Sequence, residues 1–248
     1  MPLSELSAWQ VQQLRLTAFV QQNDRAKEEG WWSSLFGAPA ETRTVRANEG
    51  LLQDEGPFKD GRIVLSVLPG RVDWIWSTIP GADIDKGTLS SLGNLADTAK
   101  VFGDLMNAWF GLALPFSRLA FGTILDQPVP DKQSAYRLLQ EYLQTVRIFP
   151  ESSSDFMYQI NRPVESKVLP GYRINRLSKW AALRAIMMAG QGGKPAAVRH
   201  EYSAVRLETD VNTFSDANAA LPKEKSQDSL LELISITQAI AEKGDQSS

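Results

Sequence analysis

The sequence contains no cysteine and a single histidine, His200. Without thiols it can form no disulfide, thiolate nucleophile, iron–sulfur cluster or thiolate zinc site. A Ser-His-Asp triad would have to use His200, which lies between Arg199 and Glu201 in an alternating stretch, and the chain has no nucleophile-elbow motif. Zinc, copper and haem sites are short of ligands for the same reason. No catalytic residue, metal or cofactor is therefore assigned from the sequence. Charge of one sign is also scarce: 26 basic and 29 acidic residues leave a formal net charge of −3 over 248 residues. That balance exerts no general pull on nucleic acid or acidic membranes, so such binding needs a local patch. Long apolar runs are missing too. The stretch from Leu105 to Ser117, bounded by Asp104 and Arg118, is too short to span a bilayer. Met1-Pro2-Leu3-Ser4-Glu5 lacks a basic segment followed by an apolar one, which argues against a secretory signal. The expectation is a cytoplasmic protein without membrane association.

Phosphate-binding and cation-binding motifs are likewise incomplete. Gly190-Gln191-Gly192-Gly193-Lys194 has the glycine content of a phosphate loop, but Met188 stands where the first glycine belongs and Pro195 replaces the magnesium-binding hydroxyl. No glycine-rich dinucleotide fingerprint follows a strand. Asp83-Ile84-Asp85-Lys86-Gly87 resembles half of a calcium loop without its downstream ligands, and reads as a turn. Paired acids for hydrolysis can be brought together by folding, but no spacing signals them.

What is present is patterning. Hydrophobic residues make up 43% of the chain, enough to bury one large core. Val11 to Val20 alternates in part, with Leu14, Leu16 and Ala18 opposite Gln13, Arg15 and Thr17, and Thr42 to Ala47 suggests a second strand. The clearest hairpin joins Gly61–Leu68 to Arg71–Thr78 through Pro69-Gly70, because proline presets φ and glycine accepts a positive one. Within it Asp73 points away from the apolar face, and Arg71 is placed to pair with it at the surface. From Thr88 to Phe110 the period becomes helical, with Ser90 and Ser91 as start signals. Ser117–Leu125 reads as a strand ended by Pro128, and 131–146 as an amphipathic helix capped by Asp131. Strands follow at Phe156–Arg162 and Arg173–Leu177. Trp180–Ala189 is helix or strand; Val198–Thr213 alternates; Ser226–Ala241 is a final amphipathic helix. The predicted fold class is α+β, a mixed, largely antiparallel sheet with amphipathic helices packed on it. The expected organisation is a single domain over 1–242, open to division into fused halves 1–150 and 151–242, with 243–248 a disordered tail.

A short duplication stands out. Tyr158-Gln159-Ile160-Asn161-Arg162 recurs fourteen residues later as Tyr172-Arg173-Ile174-Asn175-Arg176, which marks either two facing strands or a coincidence. If the segments pair, Arg162 and Arg176 share one face, and Asn161 and Asn175 the other. Asp155–Arg184 carries six bases (Arg162, Lys167, Arg173, Arg176, Lys179, Arg184) against Asp155 and Glu165, whereas 201–245 has nine acids and four bases. Opposite charge in neighbouring stretches implies an internal electrostatic seam or a patch for an anionic partner. Guanidinium groups grip carboxylate and phosphate with paired donors, so Arg162, Arg173, Arg176, Lys179, Asn161 and Asn175 form the candidate binding set. The bland alternative is a structural network. Adjacent Trp31 and Trp32 supply a candidate exposed anchor, one of the two being buried.

Pro69-Gly70-Arg71-Val72-Asp73-Trp74, Arg118-Leu119-Ala120-Phe121-Gly122, Ser154-Asp155-Phe156-Met157-Tyr158-Gln159-Ile160-Asn161-Arg162-Pro163 and Ile174-Asn175-Arg176-Leu177-Ser178-Lys179-Trp180 together resemble a bacterial protein family of about this length, to which no activity is attached. The resemblance implies a bacterial origin and a patchily distributed gene, compatible with a mobile or defence system. The functional expectation is a non-catalytic protein-interaction subunit of a multi-component bacterial system, its partner another protein, with association between copies left open. The alternative is a nucleic-acid or phosphate-ligand binder that uses the basic residues of 162–184.

Overall fold

The computed structural model describes residues 5–20, 30–79, 89–113, 115–189, 198–214 and 220–246, and omits the side chains of 187–189, 198–200 and 246. The His200 side chain and the segments 83–87 and 190–194 lie outside the described residues. Among the described residues ten strands run β1 (Gln10–Val20), β2 (Thr42–Arg46), β3 (Leu51–Phe58), β4 (Gly61–Leu68), β5 (Arg71–Ser77), β6 (Phe116–Val129), β7 (Met157–Asn161), β8 (Val164–Glu165), β9 (Arg173–Ala189) and β10 (Val198–Phe214). Four α-helices among the described residues are α1 (Trp31–Phe36), α2 (Leu95–Leu112), α3 (Lys132–Tyr142) and α4 (Ser226–Lys243). The strands form one sheet in the order β2-β3-β4-β5-β1-β6-β10-β9-β7, with β8 also paired to β9. Every strand pairing among the described residues is antiparallel, so the sheet is not mixed.

The same order of elements occurs twice. A strand (β1 or β6) leads into a helix (α1 or α3); a meander returns beside that strand, and a long helix (α2 or α4) closes the unit. β1 and β6 lie side by side at the centre, so the boundary between the units falls between α2 and β6, not near residue 150. The sheet runs unbroken across it.

Alternation decides which side chains enter the core. On β1, Leu14, Leu16 and Ala18 are buried with Trp74 and Trp76 of β5, Phe121 of β6, Leu207 of β10 and Trp180 of β9. The buried apolar side chains of α2, α3 and α4 belong to the same hydrophobic cluster. A register shift between Val11 and Gln13 reverses the parity at the start of β1, so Val11 is buried as well as Leu14. The opposite sheet face carries Arg15, Gly122, Asp210 and Lys179, and no described helix packs there.

Helix ends follow capping chemistry. Asp131 caps α3 as expected, accepting from Ser134 N at 2.7 Å. α2 begins later than its periodicity indicates, because Leu92 and Gly93 are held as an extension of the sheet: Leu92 N donates to Val11 O and Val11 N to Gly93 O, each 2.9 Å. Asn94 then caps the helix through Asp97 N at 3.0 Å, in place of Ser90 or Ser91.

Trp31 and Trp32 are both buried, with 2% and 3% of their surface exposed, so neither is a surface anchor. The indoles diverge to opposite neighbours. Trp31 packs edge-on against Trp109 of α2 at 5.5 Å, and Trp32 stacks over Trp74 of β5 at 6.3 Å. A β-carbon at Gly56 would come within 2.9 Å of the Trp32 ring, so glycine on β3 makes room for it. The aromatic pair is the means by which a helix of only six residues holds to the sheet.

Candidate functional site

The two Ile-Asn-Arg segments lie side by side. Ile160 faces Ser178, Asn161 faces Leu177, and Arg162 N donates to Arg176 O at 3.4 Å. Arg162 and Arg176 fall on the helix-covered side. Asn161, Asn175, Arg173 and Lys179 have the other parity and fall on the helix-free side. The six residues grouped by sequence are thus divided between opposite faces of one sheet corner, and no single surface holds them all.

On the helix side, Arg162 grips Asp245 with two hydrogen bonds, Nε–Oδ1 2.6 Å and Nη2–Oδ2 2.9 Å, and the Tyr158 hydroxyl donates to Oδ2 at 2.7 Å. Asp245 is held here because a short 3-10 turn (Gly244–Gln246) follows α4. Gly244 has φ 69°, and a β-carbon there would run into the Tyr142 carbonyl. Residues 244–246 are therefore tied to the fold, contrary to the expected disordered tail. Arg162's hydrogen bonds hold the Asp245 carboxyl below its ordinary range, against the opposing effect of burial. Burial, then Asp245, pushes the Tyr158 phenol up. Burial and the neighbouring Arg162 lower the Arg176 guanidinium, while Asp245 opposes them.

Arg176 lines a groove of about 650 Å³ between α4 and residues 164–168. Its other walls include Val164, Val168, Leu231, Ile236 and Ala239, with Lys167, Lys243, Glu165, Asp228 and Glu232 also lining it. Glu232 joins the two sides, accepting from Ser166 Oγ at 2.7 Å and Lys167 N at 2.6 Å.

On the helix-free side a row of hydrogen bonds crosses five adjacent strands. Asn161 Nδ2 donates to Asn175 Oδ1 (3.0 Å), and Asn175 Nδ2 to Asn212 Oδ1 (3.1 Å). Arg118 Nη2 reaches the same Asn212 oxygen at 2.6 Å, and Asn212 Nδ2 donates to Asp210 Oδ1 at 2.7 Å. Arg15 completes the row on Asp210 Oδ2 at 3.0 Å. Its guanidinium lies over Gly122, where a β-carbon would approach it to 3.1 Å. Two arginines of this face rest on aromatic rings, Arg118 over Phe19 at 5.0 Å and Arg173 over Phe214 at 5.6 Å.

The charge asymmetry is in part an internal seam. Three bases of 155–184 find acids of 201–245: Arg162 with Asp245, Lys179 with Glu208 at 3.1 Å, and Arg184 with Glu201 at 2.7 Å. The Arg71–Asp73 pair forms at 2.7 Å, but Asp73 is buried and also accepts from Thr17, so the pair is not a surface one. Asn212, Arg118, Arg15, Asp210 and Asp245 were not singled out by sequence. For Asn212 and Asp210 the signal was available, since both share parity with Glu208 on a well-alternating strand.

Among the described residues no group of three or more His, Asp or Glu side chains is placed to hold a metal ion, and no helix is long and apolar enough to cross a membrane. No family model, curated protein or solved structure matches the chain.

Proposed function

We propose that the chain is a non-catalytic binding subunit of a multi-component bacterial system, and that the helix-free sheet face docks a partner protein. The observation that carries the reading is the hydrogen-bonded row from Asn161 to Arg15. Its polar groups are oriented before any partner arrives, which lowers the entropic cost of association. Arg15 is already matched by Asp210 and Lys179 by Glu208, so these parts of the face favour a partner with its own mixed polar and apolar surface over a polyanion. Apolar side chains interleave with the row: Ile75, Ile124 and Leu177 are half-buried, and Met157 is 63% exposed at the β7 edge.

The test is purification from the native host of the wild-type chain and an Ile75→Glu/Leu177→Glu variant, after confirming equal folding by circular dichroism. The expected result is a stoichiometric partner retained by the wild type and lost by the variant. A lone monomer, or equal retention by both, would overturn the reading.

The two arginine–aromatic pairs favour a second reading, in which the same face binds single-stranded nucleic acid by stacking and phosphate contact. It predicts salt-sensitive binding of an oligonucleotide, weakened by Arg173→Glu. Absence of binding at low salt to single- or double-stranded DNA or RNA removes it.

A further inference from the structure

We infer that the chain forms a twofold dimer through the free edge of β9, residues 182–189, which pairs antiparallel with the same segment of a second copy. This does not rest on the docking reading, since an edge and a face are separate surfaces. β9 and β10 pair at constant register along their full length, from Arg173 opposite Phe214 to Ala189 opposite Val198. Their neighbours stop earlier: β7 ends with Met157 opposite Ala181, and β6 with Val129 opposite Ser203. The two strands therefore run on beyond the sheet as a ribbon. Main-chain direction on β9 is fixed by Arg176. Its N–H donates to Asn161 Oδ1 and its C=O accepts from Arg162 N, so both point toward β7. Strand parity turns the N–H and C=O groups of Ala182, Arg184, Ile186 and Met188 to that same side. Among the described residues no strand meets them there.

The other free edges carry features that prevent strand addition. β2 has Arg43 and Arg46, β7 is only 5 residues long and runs into Arg162-Pro163, and the free stretch of β10 contains Arg199 and Glu201. Residues 182–189 contain no proline and a single charge, Arg184, which Glu201 already holds at 2.7 Å. Ile186 is 46% exposed. An edge of this composition, with its donors and acceptors turned outward, is a template for another strand. Self-complementarity selects the second copy. Continuing the sheet about a twofold axis requires facing residues of equal parity, and Met157 already fills the slot opposite Ala181. The longest pairing that meets both conditions centres on Ile186, opposite its twin, with Arg184 opposite Met188. Each of these pairs exchanges main-chain hydrogen bonds in both directions. In this register no like charges face each other.

Sedimentation equilibrium of the full chain over a range of concentrations should show a reversible dimer. Ile186→Pro removes an N–H on the free side only and leaves the bonds to β10 intact, so it should yield a folded monomer. Ile186→Lys sets two ammonium groups face to face at the axis and should weaken association at least tenfold. The absence of cysteine permits a third test. Ile186→Cys places two thiols across the axis on α-carbons about 5.5 Å apart, a span that a disulfide bridges. With diamide as oxidant it should cross-link at least tenfold faster than Val45→Cys, a control at the exposed β2 edge. A monomer at every concentration, a dimer indifferent to Ile186→Lys, or equal cross-linking of the two thiol variants would overturn the inference.

Discussion

Asp245 and Arg162 meet across 83 residues of sequence through two hydrogen bonds, and this contact fastens the end of α4 to the β7 edge of the sheet. The buried carboxylate is the partner that matters most. Replacing it with an amide, Asp245→Asn, keeps the shape and removes the charge. The expected loss is about 1–2 kcal/mol at pH 7, reduced from a fully buried pair because Arg162 is half-exposed. The pH dependence has a definite sign. The Asp245 carboxyl is lowered in the folded state, so its contribution is complete above the unfolded carboxyl value, about 3.9, and declines as pH falls through the lower folded value. Urea unfolding at pH 7 and again near pH 3 should show the difference between wild type and variant shrinking on acidification. An equal gap at both pH values would assign the effect to packing.

The sequence shows the antiparallel hairpins and helices well, and the site only in part, for reasons visible in particular residues. β4, β5 and β10 are legible because period two dominates each, through Ile63, Leu65 and Val67, through Val72, Trp74 and Trp76, and through Val205, Leu207 and Val211. β3 is not, since Asp54, Glu55, Gly56 and Pro57 break the expected strand composition, although Gly56 is there for Trp32. β6 continues to Val129 past the proline expected to end it; β1 stops pairing at Asp126, so Pro128 needs a partner on the β10 side only. Parity would have separated Arg162 and Arg176 from Arg173 and Lys179, but local charge grouped them. No local pattern reveals Asp245, whose role depends on a contact with a strand more than eighty residues earlier.

Arg206 and Asp126 form a second test of buried charge. Arg206 donates to both Asp126 oxygens at 2.8 Å, and Asp126 is fully buried. Arg206→Met would strand a carboxylate inside the sheet, so the expected loss is about 3–5 kcal/mol. The double variant Asp126→Leu/Arg206→Met should recover most of it, because two apolar side chains of similar size remove the desolvation cost. Chemical denaturation of the two single variants and the double variant provides the measurement; a double variant no better than Arg206→Met would mean that shape, not charge, sets the cost.

Trp32 and Gly56 test whether the tryptophan pair is structural. Trp32→Ala empties space between α1 and the sheet and should cost about 3–5 kcal/mol. Gly56→Ala places a methyl group 2.9 Å from the same ring and should destabilise by overpacking, about 1–3 kcal/mol. Combined, the two should not add: the cavity left by Trp32→Ala accepts the new methyl group, so the double variant should lose less than the sum of the single variants. Strict additivity in thermal or urea unfolding would separate the two sites.

The row on the helix-free face makes its own prediction, and it bears on function. Asn212 receives Arg118 and Asn175 on one oxygen and gives its amide to Asp210, which Arg15 also holds. Asn212→Leu leaves three neighbours without this partner, at a cost of about 1–3 kcal/mol. Arg15→Met acts on the same Asp210 from the opposite side of the row. If the row behaves as a unit, the two substitutions should couple by about 0.5–1 kcal/mol in a double-mutant cycle, since each leaves Asp210 less constrained for the other. A rigid, coupled row is what a preorganised docking face requires. Zero coupling would make these bonds independent surface contacts, and partner binding would then have to draw its specificity from the apolar side chains between them.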